Sequence, residues 1–189
     1  MNKQKRSRPF GAAVLAVCLA VIIAALSYCA YRISRFERYH RQSVERWCES
    51  YGLDEYLIYA MIYAESGGDS YAVSHAGAVG TMQLMPHTAE WMARHEGLDY
   101  QENMLLEPDY NIRLGCAYIK YLQERFQNTE CVIAAYNAGP GAVSRWLHDP
   151  RYSGDGEHLE SIPYDETREY VIRVTRAAEI YRKLYPADK

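Results

Sequence analysis

Tyr56-Leu57-Ile58-Tyr59-Ala60-Met61-Ile62-Tyr63-Ala64-Glu65 is an apolar and aromatic run that ends on a carboxylate. At helical spacing Glu65 shares a face with Ile58, Met61 and Ile62, the side chains that should enter a core. Ser66-Gly67-Gly68 stops the helix, so Glu65 stands at the negative end of the helix dipole, at the lip of whatever cleft the next loop makes. Apolar neighbours and that dipole both disfavour the ionised form and push the carboxyl towards the range of a general acid. A solvated Glu at a frayed helix end is the plain alternative, and the rest of the chain weakens it.

Outward from this helix, Asp54 is in place to cap its start. Before it, Ile33, Phe36, His40, Val44, Trp47 and Tyr51 recur at steps of three and four, which predicts an amphipathic helix over 32–51 that Gly52 ends. After it comes a loop rich in Gly, Ala and Ser from Gly67 to Gly80. Pro86 then opens a helix through His95, and Pro108 opens another that carries Ile112, Leu114, Cys116, Ile119 and Leu122 to near Phe126. A short helix from Cys131 to Tyr136 stops at Asn137-Ala138-Gly139-Pro140, one more runs to Leu147, and a polar loop leads to a long helix over 165–185. Strand alternation is missing throughout, so the expected fold class is all-α.

The front of the chain is different. Lys3, Lys5, Arg6 and Arg8 precede Phe10 to Tyr31, 22 residues without a charge, and Arg32, Arg35 and Arg38 follow. As a helix that run spans about 33 Å, enough for a bilayer core. The expected organisation is a basic cytoplasmic tail (1–9), a transmembrane signal anchor (10–31), a helical stalk (32–46) and a folded domain (47–189). Ser27-Tyr28-Cys29-Ala30 makes a poor cleavage site, and the bulky Tyr28 argues against lipidation at Cys29.

Composition excludes several functions. The first 31 residues hold four of the 21 basic residues and no acid, leaving 17 against 24 acidic ones beyond them, the wrong sign for a nucleic-acid binder. No zinc-protease helix, nucleophile elbow, phosphate loop or paired CxxC is present; His95-Glu96 lacks the second His. Beyond the membrane run only Cys48, Cys116 and Cys131 remain, too few for a disulfide scaffold and best read as buried thiols. Tyrosine is abundant, at 18 residues; a phenol pairs a ring face for sugars with a hydroxyl for their hydrogen bonds, although most should be half-buried core.

Four blocks then stand in register: Glu65-Ser66 with Ala72-Val73-Ser74; Gly77-Ala78-Val79-Gly80-Thr81-Met82-Gln83-Leu84-Met85-Pro86, followed by Asn111 and Gly115; Ala134-Ala135-Tyr136-Asn137-Ala138-Gly139-Pro140-Gly141; and Ile162-Pro163-Tyr164-Asp165-Glu166-Thr167-Arg168-Glu169-Tyr170-Val171. In order and spacing they resemble the catalytic domain of the soluble-type (SLT) lytic transglycosylases, over about residues 50 to 185. The resemblance implies a lysozyme-like helical domain outside the cytoplasm, held by a single-pass anchor. Its substrate would be peptidoglycan glycan strands, cut at the β-1,4 bond between N-acetylmuramic acid and N-acetylglucosamine with no metal or cofactor. One glutamate, Glu65, would make both proton transfers while the substrate's own C6 hydroxyl closes a 1,6-anhydro ring.

By position the resemblance also implies that Ser74 contacts the N-acetyl group, that Gln83 and Met85 line the cleft, and that Tyr136 and Asn137 face Glu65 from the opposite wall. Glu166 would contact substrate or orient the site, with Tyr170 supporting the same wall. The chain departs from the family after Ser66, where an aromatic and Asn-Pro are common and Gly68, Asp69 and Ser70 stand here; this loosens the loop and removes an apolar cover near the acid. Asp69 as a water-activating second carboxylate would make the protein a lysozyme-type hydrolase. A weakly catalytic peptidoglycan-binding scaffold is the reading from another class.

Overall fold

The computed structural model describes residues 10–186. They fall into two compact units divided between Glu37 and Arg38. The first contains helix α1 (Phe10–Ser34), whose stretch Ala13–Tyr31 is long and apolar enough to cross a membrane and has none of its length buried against protein. The second contains α2 (Arg41–Tyr51), α3 (Glu55–Glu65), α4 (Pro86–His95), a 3-10 turn over Glu102–Leu106, α5 (Pro108–Arg125), α6 (Thr129–Ala138), α7 (Pro140–Leu147) and α8 (Asp165–Leu184). Among the described residues there is no strand, only two isolated bridges, Val73 with Val79 and Val79 with Leu84.

Two helices stand where the sequence predicts one over 32–51. α1 ends at Ser34, and α2 starts at Arg41 behind His40, whose φ of 52° is left-handed. The apolar spacing runs on through the break, so periodicity alone could not find it. Within α2, Val44 and Cys48 are buried, and the helix packs on α5 and α3. Gly52 ends α2 as expected, with φ 66° and its N–H donated to the Cys48 carbonyl.

α3 is the axis of the helical unit. Asp54 caps it by accepting from the Tyr56 N–H at 3.0 Å, and Arg182 of α8 pairs with the same side chain. Leu57 to Ile62 are all buried, so the helix is enclosed all round and not along one stripe. Full burial of a side chain such as Ile58 or Met61 contributes about 1.5–3 kcal/mol. α8 lies along α3, with the rings of Tyr59 and Tyr181 stacked 5.5 Å apart.

α5 closes the other side. Its apolar positions Ile112, Leu114, Cys116, Ile119 and Leu122 are buried as their spacing requires. Gly115 lets the Met82 side chain lie against the helix backbone, in space that a Cβ would fill. Cys48, Cys116 and Cys131 are free and buried. The Cys48 and Cys116 thiols meet between α2 and α5, where Cys48 and burial hold the Cys116 pKa well above its ordinary value.

Candidate active site

Glu65 is the last residue of α3, and Ser66 caps the helix by returning its N–H to the Ile62 carbonyl. The Glu65 side chain is half-buried. Across from it, Tyr170 of α8, 1 % exposed, donates its phenol proton to Glu65 Oε1 at 2.6 Å. Burial pushes the Glu65 pKa up from 4.5 to about 7; the Tyr170 hydrogen bond and the Arg173 charge oppose that rise, and the Glu166 charge adds to it. Arg173 also lies 5.5 Å from the centre of the Tyr170 ring. Its part went unseen in the sequence; the available signal was its place three residues after Tyr170, on the same helix face.

The loop behind the acid is tied down from its own side chains. Ser66 Oγ donates to the Thr81 carbonyl at 2.7 Å and accepts from the Gly68 N–H at 3.1 Å. Ser74 Oγ accepts from the Ala78 N–H at 2.9 Å, which closes the 74–78 turn and leaves its proton to donate. Asp69 Oδ1 accepts from the Tyr71 N–H at 2.9 Å in a turn of its own. The carboxylate whose charge reaches Glu65 is Glu166, exposed in the first turn of α8, and not Asp69.

Gln83 has a left-handed φ of 48°. Its Nε2 donates to the carbonyls of Ala72 and Gly80, both at 2.9 Å, so both amide protons are spent on the loop and only Oε1 is left, as an acceptor. Beneath it Asn111, fully buried on α5, does work that the sequence did not reveal. Its Oδ1 accepts from the Met82 N–H at 2.8 Å, and its Nδ2 donates to Val79 at 3.0 Å and to Leu105 at 2.9 Å. Gly80, at φ 81°, has no room for a Cβ against Asn111 and the Leu105 carbonyl.

A cleft of about 290 Å³ brings together Gln83, Met85, Tyr118, Tyr136 and Asn137, with Pro140 at its rim. Tyr136 joins its walls: the phenol of this α6 residue donates to the Met82 carbonyl at 2.8 Å. Burial raises the Tyr136 pKa well above 10, and the Glu65 charge adds to the rise. Asn137 is exposed, with Oδ1 accepting from buried Thr167 of α8 at 2.7 Å. Glu65 does not line this cleft; it forms a second centre with Tyr170, and Tyr136 lies between the two. Among the described residues no group of three or more His, Cys, Asp or Glu is placed to hold a metal ion.

These side chains supply one carboxyl with a proton to give near neutral pH, phenols and amides for hydroxyls, and an aromatic and thioether surface for ring faces. Tyr170→Phe removes the hydrogen bond that favours the carboxylate. An NMR titration of the variant should find the Glu65 pKa higher than in the native protein by roughly one pH unit, and an unchanged value would show that the bond carries little.

Comparison with known proteins gives the family of this helical domain. The family model of the transglycosylase SLT domain matches residues 42–158, and the chain belongs to that family. It is 40% identical over 137 residues to the soluble lytic murein transglycosylase of Salmonella typhimurium, covering 69% of this chain and 21% of that protein. To the membrane-bound lytic murein transglycosylase C of Histophilus somni it is 31% identical over 185 residues, covering 86% of this chain and 50% of the relative. The chain thus spans between a fifth and a half of these relatives' length.

Among solved structures, the lytic transglycosylase Slt of Pseudomonas aeruginosa, determined as an inactive glutamate-to-glutamine mutant, matches with a TM-score of 0.73 and 40% identity over 82% of this chain and 25% of that one. The 70 kDa soluble lytic transglycosylase of Escherichia coli matches with a TM-score of 0.71 and 29% identity, over 80% and 25% of the two chains. The expected all-helical, lysozyme-like fold is the fold of these proteins.

Proposed function

We propose that the chain is a lytic transglycosylase that cuts the β-1,4 bond between N-acetylmuramic acid and N-acetylglucosamine in peptidoglycan. Glu65, protonated, gives its proton to the leaving glycosidic oxygen as the C1–O bond breaks. The resulting carboxylate takes the proton of the C6 hydroxyl, whose oxygen closes onto C1 as a 1,6-anhydro ring, so the carboxyl returns to its starting state. The observation that carries this reading is a half-buried carboxyl near pKa 7, held through Oε1 by Tyr170.

That bond leaves the other Glu65 oxygen free for the substrate. Tyr136, Asn137, Gln83 and Met85 line the wall for the sugars, with Gln83 limited to accepting hydrogen bonds; Ser74 keeps a proton for an N-acetyl carbonyl. Glu166 and Tyr170 tune the acid from α8. The inactivity of a glutamate-to-glutamine mutant in the Pseudomonas relative supports a glutamate in this role. α1 anchors the protein in a membrane as a single span, with the helical unit on the wall side; the membrane-bound relatives and the length of Ala13–Tyr31 support this.

Mass spectrometry of digested cell wall tests the reaction. Anhydromuramoyl ends are expected; reducing ends would assign a hydrolase, and binding without cleavage a scaffold. Because the acid must start protonated, turnover should fall as the pH rises through about 7.

A further inference from the structure

We propose that Tyr39 and His40, in the segment between α1 and α2, are positioning residues for Glu65: they clamp the loop that follows the acid from outside that loop. This deepens the proposed function and rests on Glu65 being the acid.

The backbone just after the acid is glycine, so its shape rests on contacts made to it. Gly67 and Gly68, two and three residues past Glu65, have φ values of 63° and 88°, a conformation that glycine reaches without strain and leaves as easily. On one side Ser66 ties the turn to Thr81. On the other, His40 Nε2 meets the Gly68 carbonyl at 3.0 Å, and the Tyr39 ring fills the space that a Cβ at Gly68 would need.

His40 reaches this bond from a left-handed backbone, φ 52° and ψ 40°, which strains a residue with a Cβ and persists only where the surroundings impose it. Tyr39 is half-buried and lies near Tyr181, itself fully buried in the α3–α8 interface. The ring is therefore seated on the same packed helices that carry the acid. Gly68 leaves open the space that a side chain there would fill, and Tyr39 occupies it from a point far away in the chain.

The test uses the full-length protein, with Tyr39→Ala, Tyr39→Phe, His40→Ala and His40→Gly. Tyr39→Ala and His40→Ala should lower kcat on purified peptidoglycan by about tenfold or more with KM little changed, because a misplaced acid costs rate and not binding. Tyr39→Phe keeps the ring and should keep the native rate. His40→Gly relieves the left-handed strain but loses the bond, so it should behave as His40→Ala does. Amide exchange at 67–70 should speed up in every slow variant and stay native in Tyr39→Phe. Native exchange at 67–70 and native kcat in Tyr39→Ala and His40→Ala would overturn the proposal, even where their melting temperatures fall. The exchange arm needs no turnover, so a wild-type protein without wall-cleaving activity would sink the reading of Glu65 while the clamp was still decided.

Discussion

Glu65→Gln is expected to cut muropeptide release by about a thousandfold, the middle of what a positioned general acid contributes. The amide keeps the shape of the side chain, and its oxygen can still accept from Tyr170. What is lost is the proton. Binding of glycan strands should survive, so a co-sedimentation assay beside the release assay separates chemistry from recognition. Release at the native rate would remove Glu65 from the mechanism.

The same substitution has a second expected effect, on stability, with a sign set by the pKa. In the unfolded chain the carboxyl titrates near 4.5, in the folded protein near 7. Between those values the folded state keeps a proton that the unfolded state has released, so stability falls as the pH rises through this window. Below 4.5 the stabilisation is complete, and above about 7 it has gone, a difference of about 3 kcal/mol. Gln carries no such dependence. Melting curves of the variant and the native protein should therefore coincide near pH 4 and separate by pH 8, with the variant several degrees higher.

Asn111→Ala is expected to cost about 3–5 kcal/mol, the largest stability loss among the substitutions considered. Three buried backbone groups, the N–H of Met82 and the carbonyls of Val79 and Leu105, lose their partner together, each at about 1–3 kcal/mol. Alanine also leaves a void under Gly80 where water has little room. Thermal unfolding measures the loss, and a change under about 1 kcal/mol would show that the 79–82 turn holds its shape without the clamp. Because Tyr136 bonds to the carbonyl of Met82, wall cleavage should fall along with stability.

α3 and its acid were legible in the sequence for a physical reason. A carboxylate closing a run as apolar as Leu57 to Ile62 has few explanations, and the glycines after it fix where the helix stops. The helices α4 to α8 were legible from proline starts and apolar spacing. The break between α1 and α2 was not, since Ile33, Phe36, His40 and Val44 keep helical spacing across residues 35–40, where both helices are interrupted. Asn111 was visible as part of a motif but not as a clamp, because its partners are main-chain groups of residues as far as 32 positions away. Gln83 was expected in the cleft wall and lines the cleft, but its spacing gave no sign that both amide protons face its own loop. Arg173 carries no motif, and only the packing of α8 on α3 brings it to the acid.

Tyr136 to Met82 and Thr167 to Asn137 rivet α6 to the 79–82 turn and to α8 at the cleft, and Tyr170 to Glu65 ties α8 on to α3. A trough bolted across its floor behaves as a mould and not as a jaw. On the proposed reaction, a polysaccharide must take the trough's curvature on arrival, and the distortion needed to bring the C6 hydroxyl oxygen against the anomeric carbon of the same sugar falls on the substrate.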